Sequence, residues 1–137
     1  MTRAEQYYIS ALRAGGPEKM IIERLLFVCA ADQRFPVALD YAEHYLHKHP
    51  TDEEILFASA SLHAAVGDNP GAHTRLQAVL RARPDWAEAH YALATVLREE
   101  GGSKNLADEH DLAYLRLNPN GKFAETARAR LLGEPQQ

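Results

Sequence analysis

The chain has 137 residues, 46% of them apolar and 25% charged, which suits one globular domain with a continuous core. A formal net charge of -4 leaves no basic stripe for phosphate contacts and argues against a nucleic-acid partner. A single cysteine, Cys29, excludes an internal disulfide and a multi-cysteine zinc site.

Alanine is abundant while valine, isoleucine and threonine are sparse, a balance that favours helix over strand. The longest apolar run, Leu25 to Ala31, has seven residues, against about 20 needed to span a bilayer. Cys29 lies inside that run and reads as a small buried hydrophobe. The first residues lack the apolar segment of a signal peptide, so the expected location is cytoplasmic.

In chain order, residues 2–15 predict one helix, started by a Thr2/Glu5 capping box and stopped by Gly15-Gly16 before Pro17. From there the sequence is periodic. Pro17, Pro50, Pro84 and Pro119 are spaced by 33, 34 and 35 residues. Ala4, Ala38, Ala72 and Ala107 keep spacings of 34, 34 and 35, and eight residues after each comes Leu12, Leu46, Leu80 or Leu115. A second register runs through Leu25, Ser59 and Leu93, and through Leu26, Ala60 and Ala94.

Each unit reads as helix, turn, helix, proline, because proline cannot continue a helix and restricts the residue before it. The units are placed at residues 19–52, 53–86 and 87–121. Thr51 with Glu54 fits a capping box and Asp85 with Glu88 imitates one. Gly67 and Asp68 mark the turn inside the second unit. The first unit has Asp32-Gln33-Arg34 there instead, and the third carries one extra residue near Gly101-Asn105. Residues 122–133 predict a last helix whose Glu125, Arg128 and Arg130 form a polar outer side, capping the stack.

A period near 34 with this pattern resembles the tetratricopeptide repeat family. The third unit carries the resemblance best, in Trp86, Ala87, Tyr91, Ala92, Leu93, Ala94, Leu97, Ala107, Tyr114, Leu115 and Pro119, while Asp111 stands where a large side chain is common. The resemblance implies an all-α fold: a right-handed superhelical stack of antiparallel helix pairs, about eight helices in one repeat domain. It also implies a concave face lined by the first helix of each pair. Side chains three or four apart on those helices would face it: Glu23, Phe27 and Met20 in the first unit, Glu54, Phe57 and Ser61 in the second, and Glu88, Tyr91, Thr95 and Arg98 in the third.

Aromatic anchors beside acidic groups suit a peptide or protein segment that combines apolar residues with Lys or Arg. The expected function is therefore a protein-protein interaction module, an adaptor or chaperone-like factor. The alternative is a scaffold that self-associates into homo-oligomers through its terminal helices, since Tyr7, Tyr8 and Ile9 lie on a helix with no first-helix partner. Some tetratricopeptide domains grip a peptide's terminal carboxylate with Lys, Arg and Asn. The matching positions here hold Glu23, Phe27, Ala58, Glu88 and Ala92, which provide no such clamp.

No cofactor, metal site or catalytic residue is expected. His44, His47 and His49 cluster at the end of a helix but read as solvated surface. His63 and His90 fall in core-facing columns, where packing or a hydrogen bond is the default. Phosphate loops and the His-Glu metalloprotease pattern are missing, and no nucleophile, base and orienting group converge.

Overall fold

The computed structural model describes residues 2–133, among which there are eight α-helices and no strand. They are α1 (Arg3–Arg13), α2 (Glu18–Ala31), α3 (Phe35–Lys48), α4 (Glu53–Ala65), α5 (Asn69–Ala82), α6 (Ala87–Glu99), α7 (Lys104–Leu117) and α8 (Ala124–Leu131). Helices α2–α3, α4–α5 and α6–α7 form antiparallel pairs, with α1 and α8 packed at the two ends. Each helix packs on its chain neighbours, and α4 also touches α6 across the stack. The result is a helical-repeat solenoid.

Two kinds of helix end recur, and both follow from local sequence. Helices α1, α2, α4 and α6 end in Schellman turns, with N–H groups of Gly16, Arg34, Asp68 and Gly102 donating to the carbonyls of Ala11, Cys29, His63 and Leu97. That turn needs one residue of positive φ, and Gly15, Gly67 and Gly101 supply it at 84°, 84° and 70°. In α2 the same place is taken by Gln33 at 57°, so the irregular Asp32-Gln33-Arg34 keeps the glycine turn's geometry without the glycine. The extra residue of the third unit lies in the turn after α6.

Helices α3, α5 and α7 end differently. His49, Arg83 and Asn118 have extended φ values of -129°, -136° and -146°. Each precedes a proline, whose ring disfavours helix at the residue before it.

The starts agree with the sequence at α1, where the Thr2/Glu5 capping box forms. Two expected caps are corrected. Asp52, not Thr51, caps α4 by accepting from the Ile55 N–H, and Glu54 instead reaches Lys19. At α6 the cap residue is Trp86, which offers no side-chain acceptor, so Asp85 and Glu88 make no box.

The core runs through the stack, with Leu25, Cys29, Ala38, Ala42, Ile55, Ala60, Ala72, Leu76, Val79, Leu93 and Ala107 buried. Small residues at Ala38, Ala72 and Ala107 let helices approach closely. Of the leucine column only Leu46 is buried, while Leu12, Leu80 and Leu115 are half-buried. A smaller cluster of Ala87, Tyr114, Ala124 and Ala127 seats α8. Here a further expectation is overturned. Arg130 does not lie on a polar outer side but is buried against Asp111, while Glu125 and Arg128 are exposed.

At the other end, α1 is tethered by a buried carboxylate. Glu5 accepts from Arg34 Nη1 at 2.5 Å and from the Tyr41 hydroxyl at 2.7 Å. Burial alone would raise its pKa, but these hydrogen bonds hold it below the ordinary value.

Candidate functional site

Between α4 and α6, closed at one end by the start of α8, lies a hollow of about 590 Å³. Its floor is made of small side chains: Ala60 and Ala64 on α4, and Ala92 on α6. Phe57, Tyr91 and Phe123 form aromatic walls. Ser61, Thr95, Glu88 and Glu99 add the polar edge, and neither lysine nor arginine lines it.

Helical periodicity explains the grouping. Phe57, Ala60, Ser61 and Ala64 follow the i, i+3, i+4, i+7 rule on α4, and Glu88, Tyr91, Ala92, Thr95 and Glu99 continue the same rule on α6. The rings are fixed rather than loose. Phe57 stacks on Trp86 with centroids 4.8 Å apart, and Tyr91 stacks on Phe123 at 4.3 Å with planes 9° apart.

A buried polar network supports the Tyr91 side. Arg130 from α8 forms an ion pair with Asp111 on α7, donating through both Nε and Nη2. Its Nη1 donates to Thr95 Oγ1 at 2.6 Å, and its guanidinium carbon lies 4.3 Å from the Tyr91 ring centroid. Thr95 donates to the Tyr91 carbonyl in turn. Asp111, in a column where a large apolar residue is common, is the counter-ion that makes a buried arginine tolerable.

The structure brings Phe57, Ser61, Glu88, Tyr91 and Thr95 to this hollow. The other expected groove residues lie elsewhere. Glu23 is exposed on α2, and Phe27 is 74% exposed outside the hollow. Glu54 pairs with Lys19 at 3.1 Å. Arg98 turns toward α7, where its Nη2 donates to Asp108 at 2.8 Å and Asp111 at 2.7 Å. Met20 lines a separate depression with Tyr7 and Tyr8. Sequence reasoning passed over Glu99, the alanine floor and Phe123. The first two were readable from the same helical period. Phe123 was not, because it reaches the hollow from a different element.

Two histidine clusters lie outside the hollow. His63 Nε2 is 2.8 Å from Glu43 and its Nδ1 is 2.9 Å from Asp68. Glu43 also accepts from Ser59 at 2.6 Å and pairs with Arg75. Further along the stack, between α6 and α7, His90 Nδ1 and His110 Nδ1 are 3.0 Å apart, with His90 Nε2 donating to the Pro84 carbonyl at 2.7 Å. His44 and His47 are exposed, and the His49 ring stacks on Tyr45. Among the described residues, no three His, Cys, Asp or Glu side chains are grouped to hold a metal ion. No described helix is long and apolar enough to cross a membrane.

No protein-family model and no curated protein matches the chain. Solved structures do match. The MamA protein superposes with a TM-score of 0.82 at 17% identity, over 94% of this chain and 70% of its own. YrrB, described as a tetratricopeptide repeat protein with an unusual peptide-binding site, gives 0.78 at 22% identity over 90% of this chain; the chain spans 63% of YrrB. The Yersinia enterocolitica type III secretion chaperone SycD, in complex with a peptide of the translocator YopD, gives 0.70 at 12% identity, over 82% of this chain and 85% of its own. At such identities the likeness speaks to architecture, and with the 34-residue period and the paired helices it gives one conclusion: the chain has the tetratricopeptide repeat fold.

Proposed function

We propose that the chain is a protein-protein interaction module that holds a peptide or protein segment in the hollow between α4 and α6, as an adaptor or chaperone-like factor. The carrying observation is the apolar hollow of about 590 Å³ walled by Phe57, Tyr91 and Phe123. A preformed concavity with fixed aromatic walls offers contact area at low entropic cost. Support comes from architectural relatives, of which YrrB is described by its peptide-binding site and SycD by its complex with a YopD peptide.

The lining carries acidic and no basic side chains, so the reading favours a partner with apolar and basic residues over an acidic tail. No catalytic role is assigned. A free, buried Cys29 is compatible with the reducing cytoplasm, which the proposal adopts as the location.

The test is to replace Phe57 by Ala, and separately Tyr91 by Ala, and to measure partner affinity and thermal unfolding on each full chain. Affinity falling at least tenfold in a folded Phe57→Ala protein is the expected result. Unchanged affinity with the fold intact would remove the hollow from the account.

The second reading, self-association through the terminal helices, is favoured by exposed apolar residues at both ends, with Tyr7 at 69% and Leu132 at 77% exposure. Light scattering over a concentration series separates the two, since a strict monomer eliminates the scaffold.

A further inference from the structure

The hollow has a charge pattern that defines its guest more narrowly than apolar and basic. Glu88 stands at the first turn of α6 and Glu99 is its last residue. Both line the hollow, both are exposed, and neither has an ion-pair or hydrogen-bond partner among the described residues. Other acidic side chains nearby are already paired, as Glu54 is with Lys19, Glu53 with Arg83 and Glu100 with His73.

The two carboxylates are eleven residues apart, close to three helical turns, so they point to the same side of α6. At 1.5 Å per residue they are about 16 Å apart along the helix axis. Between them the lining is mostly apolar, with Ala92, Val96, Tyr91 and the facing Phe57 and Ala60, and its Thr95 and Ser61 hydroxyls are internally bonded, Thr95 to Arg130 and the Tyr91 carbonyl, Ser61 to the Phe57 carbonyl.

Resting on the binding role proposed above, we infer that the guest is an extended segment with an apolar centre and one cationic side chain at each end, six residues apart so that both face the same wall. Extended chain advances about 3.3 Å per residue with side chains alternating between faces, so six steps cover about 20 Å on one face, and flexible lysine stems take up the difference from about 16 Å. A helical guest would need about eleven residues to set its two cations as far apart. An acidic guest would meet two unpaired carboxylates along the lining, where the Arg130 guanidinium is already committed to Asp111, and a cation at the rim, Lys122, which lies over the Phe123 ring.

The test uses the full chain and three capped peptides followed by isothermal titration. They are acetyl-Lys-Ala-Leu-Ala-Phe-Ala-Lys-amide, the same peptide with both lysines replaced by glutamine, and acetyl-Lys-Lys-Ala-Leu-Ala-Phe-Ala-amide with both charges at one end. Partly exposed pairs contribute modestly, so the first peptide should bind about tenfold tighter than the glutamine peptide and about threefold tighter than the one-ended peptide. The advantage should shrink as salt rises from about 0.01 M to about 1 M, because screening shortens to a few ångströms. In an E88Q/E99Q double variant, its fold checked by circular dichroism, the ratio of lysine to glutamine peptide should fall to near one.

A lysine preference that persists in E88Q/E99Q, or equal binding of all three peptides, overturns the inference. If the glutamine peptide binds and weakens in Phe57→Ala while lysine brings no advantage, the hollow keeps its binding role and only the paired-charge guest is lost. If none of the three peptides binds up to its solubility, both fall together.

Discussion

Arg130 on α8 is held against Asp111 on α7 with both side chains almost wholly inside the protein. The pair reaches beyond itself, because the same guanidinium holds Thr95 and covers the Tyr91 ring. Removing Asp111 leaves Arg130 as an uncompensated buried charge, so Asp111→Ala should lower unfolding free energy by about 3–5 kcal/mol, and Arg130→Ala should cost less, because Arg98 Nη2 still donates to Asp111. The double variant Asp111→Leu with Arg130→Met should recover much of that loss. Urea denaturation of the three proteins checks this. A cost below about 1 kcal/mol for both single variants would show that the pair is not needed to seat α8.

Gln33 offers the opposite case, a residue whose replacement should help. It occupies positive φ where the other Schellman turns use glycine. The left-handed conformation costs an ordinary residue about 1–2 kcal/mol, while glycine's added freedom in the unfolded chain costs about 0.5–1 kcal/mol. Gln33→Gly should therefore stabilise by about 0.5 kcal/mol and raise the melting temperature by about 2 °C. A lower melting temperature would mean that the glutamine side chain has an unrecognised role.

Glu43 joins α3 to α4 and α5 through Ser59, His63 and Arg75. Burial would raise its pKa, but the hydrogen bonds from those three groups hold it below its ordinary 4.5. A lowered folded pKa gives stability that is complete above the unfolded value and lost as pH falls through the folded one. Glu43→Gln should cost about 1–3 kcal/mol at pH 7, typical of hydrogen bonds to a charged group. The gap to the parent protein should close as pH falls below about 4.5, measured by thermal unfolding in a pH series.

His110 gives a second pH effect in a different window. Burial first, and the neighbouring His90 second, press its pKa below the ordinary 6.5. Glu109 and Asp111 act against that shift, and His73 adds to it. The unfolded chain then binds protons more readily than the folded one, so stability should decline as pH drops below about 6.5. His110→Phe should flatten that part of the profile. An unchanged slope between about pH 6.5 and pH 5 would assign the decline to other groups.

Much of the fold was legible because it is written in spacing. The prolines at 50, 84 and 119 and the alanine column repeat one register, and the helices ended where those prolines required. Part of the hollow was legible too, since Phe57, Ser61, Glu88, Tyr91 and Thr95 follow from helical period. What could not be read was partnership across elements. Glu54 and Arg98 have suitable positions along their helices, yet Lys19 on α2 claims one and Asp108 and Asp111 on α7 claim the other. Arg130 looked like surface because its charge suggests water. Only the buried Asp111, contributed from another helix, reverses that expectation.

Because each helix rests chiefly on its immediate neighbours in the chain, the molecule has no single keystone. Opening at one end severs only one seam, so amide exchange should be fastest in α1 and α8 and slowest in α4 to α6. Short separations between touching segments also favour rapid folding, starting in any pair and spreading outward like a zip.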